Sequence, residues 1–241
     1  MAQAPGPRAG PDVASGRGPL LLQRIDEVLY GVDPISLAIV DRHRISGILV
    51  RVNASQPSPP MDYTHFVADC QGKTQVAMLA RAASPMDLTA QGTSARARVQ
   101  AASDAVAGGT ARFVASGMLD GTHALAEFAC AATQRPAQAA KIARELLDNG
   151  GPRDMRAALC DLRPDGAYVA REDVTVRFSD SEKVVAVNNQ WLTSGQVTDA
   201  EISFGSGTAK WRIDRNSAEA YLIDASGKLL FAGSCVAKPS R

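Results

Sequence analysis

The sequence has few aromatic residues, no excess of either charge and no long apolar run. Aromatic residues make up 5% of the 241 residues, although hydrophobic residues make up 45%. Lys and Arg total 26 against 25 Asp and Glu, which leaves a formal net charge of +1. No field of one sign is available to attract nucleic acid, so nucleic acid is not an expected partner. No stretch approaches the ~20 apolar residues of a membrane-spanning helix, so no transmembrane segment is predicted.

Catalytic and metal-binding motifs are also missing from the sequence. His43, His65 and His123 lie in separate segments, and none belongs to an H-x-x-x-H or H-E-x-x-H pattern. No G-x-S-x-G elbow occurs, and the Gly pairs lack the Lys and the strand-to-helix context of a phosphate-binding loop. We therefore expect no catalytic residue, metal or cofactor, and hence no enzyme. The alternative is a site that folding assembles from scattered histidines.

The chain contains four cysteines and no C-x-x-C pair: Cys70, Cys130, Cys160 and Cys235. Zinc ribbons and thioredoxin-like sites need such close pairs and are disfavoured. Four cysteines allow three pairings, and sequence positions alone do not choose among them. A helix stop and linker at 149–152 (NGGP) separates the second from the third cysteine, so we pair Cys70 with Cys130 and Cys160 with Cys235.

Disulfides persist in oxidising compartments, so this pairing predicts an exported protein of the periplasm or the outer-membrane surface. The alternative is four buried free thiols in a cytosolic protein. Residues 1–19 are rich in Gly, Pro and Ala and lack the apolar core of a signal peptide, so we expect a disordered tail. The AQAP that follows Met1 resembles the stump left by signal cleavage, which predicts a signal peptide already removed. A disordered cytosolic tail of the same composition is the alternative.

The first half, residues 20–151, is predicted to be a small α+β domain. Residues 20–30 fit a helix or a strand, and Asp33-Pro34 is expected to form a turn. Alternating apolar residues predict one hairpin from 35–39 to 45–52 and a second from 63–70 to 75–81. The segment 84–112 has almost no bulky apolar side chains and is expected to be a long mobile loop. The clearest helix covers 136–147, with Pro at its start and Asn-Gly-Gly after its end.

The second half, residues 152–241, is predicted to be an all-β domain without helices, either a meander or a small barrel. Short runs rich in Val, Ile, Thr and aromatics recur about every ten residues, which is typical of such folds. The predicted strands are 168–169, 174–178, 184–188, 200–204, 210–214, 220–223 and 228–235. The fold class expected for the chain is thus mainly β, with two small antiparallel-sheet domains and a helix closing the first.

The stretch 25–130 resembles the surface-adhesin protein E family of Gram-negative bacteria. The residues that carry the resemblance are YGVDPISL at 30–37, the strand at 45–52, FVADC at 66–70 and AEFAC at 126–130. The resemblance implies a disulfide between Cys70 and Cys130, across a small antiparallel sheet packed with helical segments. The second half resembles only a generic small β-domain appended to exported proteins.

Trp191, Trp211, Arg215 and Tyr221 are the candidate binding residues, because Trp, Tyr and Arg are enriched in binding hot spots. Trp191 follows the polar run at 188–190 in a predicted loop, so we expect an exposed anchor. Trp211 lies in an alternating run with Ile213 and is expected to fill the core of the second domain, with the charges facing solvent.

These observations predict an exported, non-catalytic binding or adhesion protein that presents two disulfide-closed domains to a macromolecular partner, such as a host matrix protein or an envelope component. The alternative is a structural component or assembly factor of a bacterial envelope or secretion machine. An envelope hydrolase with a dispersed site is a third hypothesis.

Overall fold

The protein is mainly β, with three α-helices, in the residues that a computed structural model describes: 19–56, 60–71, 74–82, 95–164, 172–206 and 208–238. Residues 1–18 of the tail expected at 1–19 lie outside them. The strands of the first half are β1 Leu20–Ile25, β2 Val28–Ile39, β3 Arg44–Asn53, β4 Met61–Asp69, β5 Gln75–Ala82 and β6 Val114–Ala115. Its helices are α1 Ala95–Ala107, α2 Thr122–Gln134 and, after a 3₁₀ turn at Pro136–Gln138, α3 Ala139–Asn149.

The second half adds nine strands, and its described residues contain no helix. These strands are β7 Arg156–Pro164, β8 Glu172–Phe178, β9 Val185–Val187, β10 Gln190–Leu192, β11 Gln196–Val197, β12 Glu201–Ser206, β13 Ala209–Asp214, β14 Glu219–Asp224 and β15 Leu229–Lys238. The strand β7, which carries Cys160, was not expected from the sequence. The predicted strand at 168–169 lies outside the described residues.

All described strands belong to one hydrogen-bonded sheet in the order β11-β12-β13-β14-β15-β7-β8-β9-β10-β1-β2-β3-β4-β5-β6. Neighbouring strands are antiparallel throughout, except that β1 runs parallel to β10. This pair joins the two halves, because Arg24 lies opposite Gln190 and Ile25 opposite Trp191. The sheet is therefore continuous across the linker at 149–152.

Two segments near the start of the chain, residues 20–30 and Asp33-Pro34, lie in the strands β1 and β2 and the turn between them. Residues 20–30 form the hairpin of β1 and β2, which turns at Asp26 and Glu27. The expected turn at Asp33-Pro34 is wrong: β2 continues through it, with an irregular register between Asp33 and Ala38. The Ser36 hydroxyl donates to the Asp33 carbonyl and accepts the Ile48 amide, so side-chain hydrogen bonds replace the ladder there.

The first core lies between one face of β1–β5 and the helices α2 and α3. Phe66, Phe128 and Leu125 are fully buried in it. The buried face of α2 consists largely of alanines, and such small side chains let a helix approach a sheet closely. The first disulfide, Cys70–Cys130, ties the end of β4 to this helix. It is one of the two pairs expected from the sequence.

The expected mobile loop at 84–112 is wrong for residues 95–107, which form α1. This helix contains six alanines and no Gly or Pro, so its intrinsic helix propensity is high even though bulky side chains are scarce. Ala102 is fully buried. Through Ala97 and Ala101, the helix covers the face of the sheet that carries His65. Of the rest of the expected loop, residues 108–112 form a turn and an irregular segment, and residues 84–94 lie outside the described residues.

The second core fills one face of the strands β7–β9 and β11–β15. Val176, Ile202, Phe204 and Ile213 are buried there. The second disulfide, Cys160–Cys235, joins directly paired residues of β7 and β15 inside this core. It too is a pair expected from the sequence.

Candidate functional site: a groove where the two halves meet

A tight hairpin turn carries the second half onto the first. Asn188 and Asn189 connect β9 to β10 as a two-residue loop, and their φ angles are 47° and 64°. A type I′ turn requires positive φ at both central residues, and Asn tolerates that conformation better than most residues. The Asn188 carboxamide oxygen also accepts the Thr175 amide, which fixes the turn against β8.

The hairpin places Trp191 in the first core, so the expectation of an exposed loop anchor is wrong. Trp191 is 4% exposed and packs in the cluster that contains Leu22, Ile25 and Phe128. Its carbonyl accepts the Asp26 amide at 2.8 Å. The physical reason is the parallel pairing of β10 with β1, which turns this side chain away from solvent.

Arg177 on β8 closes the same junction from the side. Its guanidinium donates to the carbonyls of Asp148, Asn149 and Gly150, at 3.1, 2.8 and 2.9 Å. These carbonyls lie at the C-terminal end of α3, where helical carbonyls lack partners within the helix and a cation is favoured. The same guanidinium lies over the Trp191 ring, 5.9 Å from its centroid. Burial lowers the pKa of Arg177 from its usual value.

A groove of about 820 Å³ opens beside this contact, and we call it the junction groove. Six elements build it: the end of α3, the connector to β7, the start of β7, β8, the β9–β10 turn and the end of β15. The lining residues are Asp148, Asn149, Pro152, Arg153, Met155, Arg156, Ala157, Thr175, Arg177, Asn188, Asn189 and Lys238.

Strand alternation explains which side chains face the junction groove. Cys160 and Cys235 point into the second core, so Ala157 and Lys238, an odd number of residues away, point to the opposite face. Arg177 also points there, because its neighbours Val176 and Phe178 are core residues. Lys238 lies opposite Ala157, and Ala157 lies opposite Arg177 across the three strands.

The connector at the rim is held by a carboxylate. Asp154 accepts a hydrogen bond from the Ser179 hydroxyl at 2.7 Å and one from the Ser181 amide at 2.9 Å. These hydrogen bonds, that from Ser179 first, lower the pKa of Asp154 to about 2. Asp154 therefore stays ionised at neutral pH and fixes the connector backbone next to Arg153.

The other candidate residues do not form one binding surface. Trp211 is half-buried, with its ring between those of Phe204 and Phe231 at centroid distances of 6.2 and 6.3 Å, so the expectation of core packing is met only in part. Tyr221 lies opposite Arg212, so alternation places it on the other face of the sheet, where its hydroxyl donates to Glu219.

Arg215, expected to face solvent, is instead engaged inside the fold. Its guanidinium donates to both carboxylate oxygens of Asp180, at 2.8 and 3.1 Å, and to the Thr198 carbonyl. It also lies over the Phe178 ring at 5.3 Å. Only 17% of its side chain is exposed, so Arg215 fixes loops rather than offering a free charge.

The histidines remain apart. His65 is 6% exposed beneath α1, and burial, with the charge of Arg98, lowers its pKa. His123 lies 3.4 Å from Glu127, whose carboxylate raises the pKa of His123. Within the described part of the chain, no three His, Cys, Asp or Glu side chains come together as metal ligands, and no helix has the length and apolar character to span a membrane.

The fold defines a disulfide-bonded, mainly antiparallel β protein with a basic groove at the junction of its halves. Compared with protein-family models, curated proteins and solved structures, the chain has no match in any of the three.

The junction groove is hard to predict from the sequence, because four separate stretches of the chain, 148–157, 175–177, 188–189 and 238, contribute to it. One signal was visible: Arg153 and Arg156 follow the linker at 149–152, and Lys238 lies close to the last residue. Their proximity could be inferred only once β7 was known to pair with β15.

Proposed function

We propose that this protein is an exported, non-catalytic binding protein that holds a macromolecular partner in the junction groove. The observation that carries the proposal is the groove itself. Binding sites are concave, occur preferentially where structural units meet, and combine an apolar surface with a few polar groups. The junction groove is concave and lies where the two halves meet; most of its lining is polar or charged, and Pro152, Met155 and Ala157 supply its apolar part.

The two disulfides support the assignment to an oxidising compartment. Both pairs are bonded, and no free cysteine is present. Structural disulfides of this kind persist outside the cytosol, in the periplasm or at the cell surface.

We further propose that the first half is a domain of the surface-adhesin protein E type and that the second half is an appended β-domain. The five antiparallel strands β1–β5, the helices packed on them and the first disulfide support this proposal. The separate cores of the two halves support two domains. Trp191 then belongs to the core of the first domain, despite its place in the second half of the chain.

The test uses a photocrosslinking residue in place of Val236. This side chain is 64% exposed and lies two residues before Lys238, on the same outward face of β15. The control carries the crosslinker at Lys228, which is exposed beyond the other end of β15. Extracts of the producing cell's envelope and of host matrix serve as the sources of partner.

Crosslinking at Val236 but not at Lys228 is expected. Ala157→Tyr, which projects a ring into the groove from a strand, should abolish it, whereas Lys210→Tyr at an exposed strand position should not. Equal crosslinking at both positions, or capture unaffected by Ala157→Tyr, would overturn the proposal that the groove is the binding surface.

One observation favours the role of an envelope or secretion component. Ile35 and Ile39 on β2 are 78% and 63% exposed. Exposed apolar side chains on one strand are suited to contact with a sibling subunit. Light scattering would then show an assembly that Ile35→Ser with Ile39→Ser dissociates, and a monomer before substitution would reject this role.

A further inference from the structure

We propose that the ligand of the junction groove is an acidic peptide segment of a partner protein, an inference that rests on the proposed function and names its partner class. The charge of the lining is one-sided. Four cationic side chains, Arg153, Arg156, Arg177 and Lys238, line the groove against the single carboxylate of Asp148. The chain as a whole carries a net charge of only +1, so this imbalance is local to the groove.

Two of these cations are free to meet a ligand. Arg153 and Lys238 are exposed, and neither has an ion-pair partner in the described part of the chain. Arg156 pairs with Asp180 at 3.4 Å but keeps 64% of its side chain exposed. Arg177 is occupied by the three carbonyls at the end of α3 and supports the wall of the groove.

The turn at 188–189 adds uncharged donors. The side-chain oxygen of Asn188 is used by the Thr175 amide, which leaves its NH₂ group available. The side chain of Asn189 has no partner among the described residues. Carboxamide NH₂ groups and guanidinium groups are both donors to carboxylate oxygens.

The apolar part of the surface distinguishes a peptide from a polyanion. Pro152, Met155 and Ala157 contribute apolar area, and the exposed Val236 extends it along the same face of β15. A nucleic acid or a sulfated glycan needs an extended field of positive charge. A peptide that alternates carboxylates with apolar side chains matches both parts of the groove.

The volume also fits a segment of several residues. Sites of about 300–1,000 Å³ take ligands of drug size, so the groove exceeds the need of a single small anion. The open side of the groove lets a chain enter and leave, as a segment of a larger partner must.

The test is fluorescence polarisation with the full chain and a labelled peptide of alternating Glu and Leu. Arg153→Gln with Lys238→Gln should weaken binding on the order of tenfold, and added salt should weaken it further, because rim charges act through screened electrostatics. The control variant Arg42→Gln with Lys210→Gln removes two exposed cations elsewhere and should bind like the unmodified protein. A Gln-Leu peptide should bind weakly to all three.

Failure to bind the Glu-Leu peptide, or equal losses in the two double variants, would overturn the inference. So would displacement of the peptide by a short oligonucleotide or a sulfated oligosaccharide that binds more tightly in the same groove. Crosslinking from Val236 separates the two proposals: a groove-dependent partner captured without any binding of the acidic peptide leaves the proposed function standing and removes only the acidic ligand.

Discussion

Replacing Trp191 with Ala should destabilise the protein more than any other substitution at the junction. The side chain is 4% exposed and packs among residues of the first core. Truncating a buried aromatic side chain to Ala costs about 3–5 kcal/mol, from lost transfer free energy and the cavity left behind. The cation–π contact with Arg177 adds about 1 kcal/mol. The expected loss in unfolding free energy is therefore about 4 kcal/mol or more.

The matched control is Trp211→Ala. This indole is half-buried and stacked between Phe204 and Phe231. Part of its surface already contacts water in the folded state, so a smaller loss of about 2 kcal/mol is expected. The order of the two effects is the reverse of the one that the sequence suggests for a loop Trp and a strand Trp.

Urea unfolding followed by far-ultraviolet circular dichroism, with the disulfides intact, measures both variants without depending on Trp fluorescence. Trp191 comes from the second half of the chain but is buried in the first core. Its removal should therefore also reduce the cooperativity of unfolding between the two halves, so that the urea unfolding transition broadens or splits into two. A Trp191→Ala loss below that of Trp211→Ala, or one under about 1 kcal/mol, would refute the assignment of Trp191 to the core.

Three further predictions concern the junction, the histidine beneath α1 and the disulfides. Arg177→Met should lower the free energy of unfolding by about 2 kcal/mol and raise amide hydrogen exchange at the end of α3. Arg177→Lys should restore only part of this stability, because one ammonium cannot span three carbonyls. Unchanged exchange in Arg177→Met would contradict this role. Burial lowers the pKa of His65 from its ordinary 6.5, so the stability that neutral His65 contributes is present above pH 6.5 and is lost as the pH falls through the lowered pKa. In thermal melts over an acid pH series, His65→Leu should therefore lose less stability than the unmodified protein. A decline in His65→Leu as steep as that in the control His43→Gln would argue against this role of His65. Under mild reductant, alkylation and peptide mass mapping should show the first disulfide opening before the second, because the cysteines of the first are half-buried beside a depression of about 400 Å³, whereas those of the second are 1% and 7% exposed; the reverse order would contradict this.

Local patterns predicted most of the strands. The hairpins β2–β3 and β4–β5 follow from alternating apolar residues, and the helix expected at 136–147 is present as the 3₁₀ turn and α3. These elements have runs long enough for their period to be visible, and the helix has Pro before it and Gly after it.

Elements that depend on tertiary contacts were missed. The residues of α1 are mostly too small to show an apolar face, and the sheet beneath them supplies the packing that the sequence does not display. The strand β10 is three residues long, which is too short for a period of two to be recognised. Its pairing with β1 joins positions more than 160 residues apart, as the hydrogen bond from Gln190 to the Asp26 carbonyl illustrates at a separation of 164.

The candidate site was predictable only in its chemistry. Cations around the linker at 149–152 and near the C-terminal end can be read from the sequence. The groove exists because Arg177 holds the end of α3 against β8 and because the turn at 188–189 has positive φ at both residues. The Asn-Asn pair favours such a turn locally, but the contacts of Arg177 with the end of α3 have no local signature.

The parallel pairing of β1 with β10 has a consequence for the order in which the chain can fold. A ribosome or an export channel delivers residues 20–151 well before residue 190, so the early part of the chain is completed with the outer edge of β1 unpaired and the site of Trp191 empty. Open strand edges and exposed core surface are what chaperones recognise and what leads to aggregation. The first half can therefore complete its sheet and core only after the β9–β10 hairpin, which begins more than thirty residues after the end of α3, has emerged.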